Sequence, residues 1–304
     1  MKRWSTGLLL SMLTLAGCAQ KAEVPGKPFN TLLWRISGNG LEKASYLFGT
    51  IHMLCADDAV LSPNMKKAIR NADEVYLEVD MDNFIEMLGV MSKMKMTGDT
   101  TLRDLLSSED YELVKDYFDS RQSLLPFSML ETFKPILAAS TLEQAQLPCD
   151  KAVALEQVIM QEAMENEIEV SGLETMGYQA SMLDSIPYRY QAEQLVAYIR
   201  NSAKGGENTE GKEMQEAYNS QDLEKLEALI MKSDAGIASF ADILLYNRNR
   251  NWVQKLKDLL PGKSLVIAVG AGHLPGEQGV INLLKKEGYT VEPVENRLTK
   301  TKTI

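Results

Sequence analysis

The chain of 304 residues has only two histidines. It contains no His-Glu-x-x-His segment, which excludes the helical zinc-protease motif. Beyond the N-terminus no run approaches about 18 apolar residues, the length a single helix needs to span a bilayer. Lysine and arginine number 32 against 42 acidic residues, a net charge of −10 with no basic cluster. That balance argues against nucleic acid as a partner and against a polybasic membrane-binding face. Internal repeats, low-complexity tracts and true linkers are missing as well. At 45% hydrophobic residues, the chain can nevertheless bury a substantial core.

The first thirty residues read as an export address. Lys2 and Arg3 precede a short apolar region, Leu8 to Leu15, and Leu15-Ala16-Gly17-Cys18 matches a bacterial lipobox. Residues 1–17 are therefore expected to be a signal peptide, with lipid on Cys18 and a polar tether over 18–30. An ordinary secretory signal with a chance cysteine is the alternative. Losing Lys2 and Arg3 would take the net charge from −10 to −12. Residues 31–304 then form one domain, anchored to a membrane of the cell envelope.

Cys55 and Cys149 are the cysteines left, and an exported chain favours a disulfide between them. The bridge would brace the loop that carries His52. Two free buried thiols, or Cys55 as a soft metal ligand in His52-x-x-Cys55, are the alternatives.

Strand-like runs lie toward both ends: Thr31–Ile36, Ser45–Gly49, Glu74–Val79, Ser264–Gly270 and Tyr289–Val294, with a further one at Glu167–Leu173. Pro63–Asn71 between two of them reads as a helix. The middle is helical: Phe84–Lys95, Ser108–Asp119, Glu131–Leu147, Lys151–Asn166, Thr175–Leu183, Tyr188–Ala203, Gly211–Ser220, Leu223–Lys232 and one long helix over Ile237–Leu260. Gln278–Glu287 adds a last helix near the C-terminus. The fold class expected is α/β, a central mixed sheet built from both ends of the chain around a large helical insert. Met87, Met91 and Met94 follow helical spacing beside Phe84 and Leu88, a stripe expected to pack in a core or groove, not a copper box.

Both histidines close a Gly-x-x-His tetrapeptide directly after a strand: Gly49-Thr50-Ile51-His52 and Gly270-Ala271-Gly272-His273. Imidazole is the commonest metal ligand and general base near neutral pH. His52, Glu78, Glu174 and His273 each fall at or just past the carboxyl end of a predicted strand, the edge where open α/β sheets bind ligands. Two imidazoles and a carboxylate suit a divalent ion such as Mn²⁺, Co²⁺ or Zn²⁺ with positions left for water or substrate.

Several blocks together resemble the TraB/GumN family, which includes the Tiki metalloproteases and, more distantly, erythromycin esterases. They are Tyr46-Leu47-Phe48-Gly49-Thr50-Ile51-His52, Val75-Tyr76-Leu77-Glu78, Gly172-Leu173-Glu174-Thr175 with Gln179, and Arg248-Asn249. Ala268-Val269-Gly270-Ala271-Gly272-His273-Leu274 follows, then Gly276, Gly279 and Gly288-Tyr289. The resemblance implies an α/β fold and metal-dependent hydrolysis, shown in the Tiki branch as peptide-bond cleavage. It implies His52, His273 and Glu78 as metal or catalytic residues, with Glu174, Arg248 and Asn249 supporting. The family often has Glu-Arg-Asn where this chain has Asn247-Arg248-Asn249, which removes a carboxylate beside Arg248.

The function expected is a membrane-anchored metallopeptidase acting on a peptide or protein. Here Glu78 or Glu174 takes the water proton and Arg248 stabilises the oxyanion. The alternative is a lipoprotein that binds haem, a metal or a peptide in the same pocket without turnover. A dinucleotide reading of Gly270-x-Gly272-x-x-x-Gly276 fails, because 28 residues after Gly276 are too few for the rest of a nucleotide-binding half.

Overall fold

A computed structural model describes residues 29–120, 126–144, 149, 151–203, 209–232 and 238–297. The signal peptide, the lipobox and most of the tether fall on residues 1–28, outside the described residues.

Eight strands are described: β1 (Leu33–Gly38), β2 (Ser45–Thr50), β3 (Leu54–Cys55), β4 (Glu74–Val79), β5 (Ala152–Val153), β6 (Val170–Glu174), β7 (Leu265–Gly270) and β8 (Tyr289–Val294). Six of them form one mixed sheet in the order β6-β4-β7-β2-β1-β8, and β3 pairs with β5 in a separate ladder. β6, β4, β7 and β2 run parallel, whereas β1 is antiparallel to both its neighbours. The expected α/β class and the sheet assembled from distant segments both hold.

The central strands explain their own sequences. Leu265, Ile267 and Val269 of β7 face one core with Trp252, Leu256 and Leu284, while Val266 and Ala268 face another with Met65, Ile69 and Ile159. Successive side chains point to opposite faces of a strand, so a strand covered on both faces must be apolar throughout. A third core, from Leu102 and Tyr111 to Leu195 and Ile199, belongs to the helical insert alone.

Several expected helices start late or are interrupted. Within the expected Glu131–Leu147 the helix begins only at Pro135 and is described as far as Gln144, the remaining three residues lying outside the described residues. A separate turn, Phe127–Leu130, precedes it. Proline disfavours helical backbone at the residue before it and lacks the N–H a continuing helix needs. The Lys151–Asn166 helix begins only at Leu155, because Ala152 and Val153 are drawn into pairing with Leu54 and Cys55. The long helix over Ile237–Leu260 is a short 3-10 turn at Ala238–Phe240, a π-helical turn at Asp242–Tyr246 and an α-helix at Asn247–Leu259. The methionine stripe on Phe84–Lys93 does not enter a core: Phe84, Ile85, Met87, Leu88 and Met91 are all exposed. Among the described residues no helix is long and apolar enough to cross a membrane.

Candidate active site

The four parallel strands carry their carboxyl ends to one edge. Thr50 of β2 pairs with Gly270 of β7, and Val79 of β4 with Glu174 of β6. His52, Glu78, Glu174 and His273 therefore all leave the sheet on the same side. The glycines opening the two tetrapeptides sit at close approaches. A Cβ on Gly49 would lie 3.1 Å from Ala271, and one on Gly270 would lie 3.2 Å from Oε1 of Glu78.

Arg248 is the hub. The π-helical turn before Asn247 inserts an extra residue per turn, and such insertions recur at functional sites. Beyond it, Asn249, Trp252, Val253 and Leu256 continue one buried stripe, and Arg248 is buried beside them. The Arg248 guanidinium donates from Nη2 to Oε2 of Glu78 at 2.5 Å and from Nε to Oε1 of Glu174 at 2.7 Å, with a further Nη2 contact to Glu174. Its Nη1 lies 3.1 Å from Nε2 of His273. The carboxylate missing at position 247 thus leaves no unpaired cation, since Asn247 Oδ1 accepts from Arg250 and Arg248 is paired by two strand-end glutamates.

The rest of the network saturates these carboxylates. Glu78 accepts from Gly270 N–H at 2.8 Å and Gln179 Nε2 at 3.1 Å. Glu174 accepts from Gln179 at 2.8 Å and from the Trp252 indole at 3.0 Å. Burial alone would push the Glu78 carboxyl up, but the charges facing it, with the Gly270 N–H, hold it down at about 2. His273 leads the charges that lower Glu78, followed by Arg248, while burial pushes His273 itself down to about 3. A carboxylate held down in this way is a poor proton acceptor, which does not suit Glu78 to the expected role of base.

Asn249 sets the His273 tautomer. Its Nδ2 donates to the carbonyls of His273 and Gln278, so its Oδ1 must accept from Nδ1–H of His273, 2.6 Å away. Nε2 is then the lone-pair nitrogen, 3.7 Å from Oε1 of Glu78.

His52 stands apart from this network. Its side chain is 76% exposed, and its Nδ1 lies 3.1 Å from Oε1 of Glu156. That hydrogen bond is the main cause that raises its pKa. The charges of Glu78 and Arg248 also bear on its titration, and its own charge bears on that of His273. The disulfide Cys55–Cys149, with a Cα–Cα distance of 5.8 Å, closes just beyond His52.

Sequence reasoning missed Glu156 and Trp252, and it quoted Gln179 without a role. Trp252 follows Asn249 by three residues on an apolar helical stripe, a signal that was readable. Nothing local marks Glu156 among 42 acidic residues.

The donor chemistry fits a divalent ion. Each imidazole has Nδ1 fixed by an oxygen acceptor, the usual outer support of a metal-bound histidine, and each retains Nε2. Yet Arg248 occupies Nε2 of His273, and among the described residues no three His, Cys, Asp or Glu side chains are gathered so as to hold an ion.

The TraB/PrgY/gumN family model matches residues 32–293. The chain belongs to this family. Similar proteins include a Metalloprotease TIKI homolog of Nematostella vectensis, 22% identical over 89% of this chain and 68% of that protein. Metalloprotease TIKI1 of Homo sapiens is 23% identical over 96% of the chain and 70% of its own length. Uncharacterized protein YbaP of Shigella flexneri is 24% identical over 79% of the chain and 88% of its own length. This TraB/PrgY/gumN member spans 65% of the length of Metalloprotease TIKI1 of Danio rerio and 61% of that of Xenopus tropicalis.

Proposed function

We propose that the protein is a metal-dependent hydrolase of peptide bonds. The observation that carries the proposal is the buried Arg248 guanidinium, held by Glu78 and Glu174 against the neutral Nε2 of His273 at the carboxyl edge of the sheet. The names of the similar metalloproteases support a peptide or protein substrate.

In this reading His273 and Glu78, with His52, would hold the ion once the Arg248 guanidinium has moved off Nε2 of His273, and the bound ion would polarise the carbonyl and acidify a water. The remaining residues act through position. Arg248 orders this place, because its N–H groups hold Glu78, Glu174, the Leu244 carbonyl and Nε2 of His273 together. Gln179 bridges Glu78 and Glu174 and holds them at fixed separation. Asn249 keeps the Nε2 lone pair of His273 turned toward Glu78 and Arg248. Trp252 packs against the His273 ring, with centroids 4.5 Å apart, and shields this side from water.

Attachment to the cell envelope through lipid on Cys18 belongs to the same proposal. The lipobox supports it, as does the Cys55–Cys149 disulfide, which suits an oxidising compartment.

The test is peptide-library cleavage by purified protein after chelation and after return of Mn²⁺, Co²⁺ or Zn²⁺. Cleavage should depend on the ion and be lost in His273→Ala. An absence of cleavage with all three ions would overturn the hydrolase reading. Intact mass of the membrane fraction tests the anchor, which requires a mature N-terminus at a lipidated Cys18.

A further inference from the structure

We infer that Glu156 is a positioning residue for His52: its buried carboxylate fixes the Nδ1–H tautomer, so that Nε2 keeps the free lone pair. The geometry stands on its own, and only the consequence for turnover rests on the hydrolase reading.

Glu156 lies in the first turn of the Leu155–Glu165 helix and is buried. Its Oε1 accepts from Thr50 Oγ1 at 2.7 Å and faces Nδ1 of His52 at 3.1 Å. An ionised carboxylate only accepts hydrogen bonds, so Nδ1 must carry the proton. Free imidazole places its proton preferentially on the other nitrogen, so the pairing reverses the intrinsic choice. The arrangement matches the Asn249 oxygen that fixes His273, in the second loop of the same type.

Two further observations show that this contact is built. The Leu54–Cys55 strand pairs with Ala152–Val153, Ala56 N–H donates to Lys151 O at 2.9 Å, and the disulfide joins Cys55 to Cys149. These links bind the segment just after His52 to the segment just before Glu156, at a sequence separation of 104 between the two side chains. In addition, Oε2 of Glu156 is buried with no hydrogen-bond partner among the described residues. Keeping such an oxygen unpaired is unfavourable, a cost that stability alone gives no reason to retain.

Two histidines make the experiment direct. In protein labelled with ¹⁵N-histidine, two-bond nitrogen–proton spectra report the tautomer of each ring, assigned with His52→Ala. With chelator present, at a pH where both rings are neutral, the wild type should show both rings protonated at Nδ1. Glu156→Ala should move His52 toward the Nε2–H form while His273 keeps its pattern, and Glu156→Asp should restore part of the original state. Under the hydrolase reading, Glu156→Ala should also lower kcat at least tenfold with little change in KM. If Glu156→Ala unfolds the chain, the wild-type and Glu156→Asp spectra decide. An Nε2–H signal for His52 in the wild type, or an unchanged His52 tautomer in folded Glu156→Ala, overturns the inference. If the tautomer shifts as stated but the wild type cleaves nothing, the hydrolase reading falls and the positioning role stands.

Discussion

The two Gly-x-x-His loops leave neighbouring parallel strands at the same edge, yet they end in opposite surroundings. His273 is buried in a network with Arg248, Glu78 and Asn249, and burial keeps it neutral. His52 is largely exposed, rests on a single buried carboxylate, and has its pKa raised. One tetrapeptide thus supplies two chemical states of the same side chain. The motif fixes where each ring leaves the sheet. The neighbours that the insert and the last long helix bring in fix what each ring can do.

The largest expected effect falls on the His52 side. Replacing Cys55 and Cys149 by serine opens a bridge of sequence separation 94. The chain-entropy model gives a loss of about 4–5 kcal/mol for such a loop. Urea unfolding measures it, and the His52 resonances should broaden or shift while those of His273 stay. Equal disturbance of both rings would break the comparison.

On the His273 side, Arg248→Ala leaves Glu78 and Glu174 buried without their cation. Breaking a buried pair in this way costs about 3–5 kcal/mol. Arg248→Lys should lose less, since it keeps the charge but not the planar fork that reaches two carboxylates and His273 together. Urea unfolding of both variants against wild type checks the order, and a fully stable Arg248→Ala would show that the network is not a unit.

The smallest effect carries the sharpest contrast, because the two histidines act on stability with opposite sign. His273 has a folded pKa of about 3 against an ordinary 6.5, so the unfolded chain binds more protons between those values. Its contribution is present above 6.5 and is lost as pH falls toward 3. Glu78 acts in the same direction lower down, present above 4.5 and lost as pH falls through about 2. His52, with a raised pKa, contributes fully below 6.5 and loses that contribution as pH rises through its folded value. Melting temperatures across pH, with chelator present, should show a weaker acid decline in His273→Ala and a weaker alkaline decline in His52→Ala. Matching pH profiles for the two variants would sink the assignment of opposite environments.

Much of this edge was legible beforehand. β7 is apolar throughout because it is covered on both faces, and a polar residue after such a run marks where the strand leaves its cover. That pattern located Glu78, Glu174 and both histidines. The pairing of Cys55 with Cys149 was favoured by elimination once export was assumed. The exposed methionine stripe was misjudged, since helical spacing shows that residues share a face and not that anything covers it. Arg248 and Asn249 were found through family resemblance. The π-helical turn leading to them carries no periodic signal, because one extra residue in a turn is a matter of packing.

By itself, the sequence determined the six strands of the main sheet, the edge at which the chemistry-bearing side chains emerge, and the glycines at the close approaches of the two loops. These follow from local periodicity and sterics, which act over a few residues. Only the tertiary structure decided that Arg248 joins Glu78 to Glu174, that Asn249 orients one imidazole and that Glu156 faces the other. Those contacts link residues separated by 24 to 170 positions. Hydrogen bonds at such separations depend on how sheet, insert and disulfide close on one another, and in a chain with 42 carboxylates no local pattern selects which ones meet.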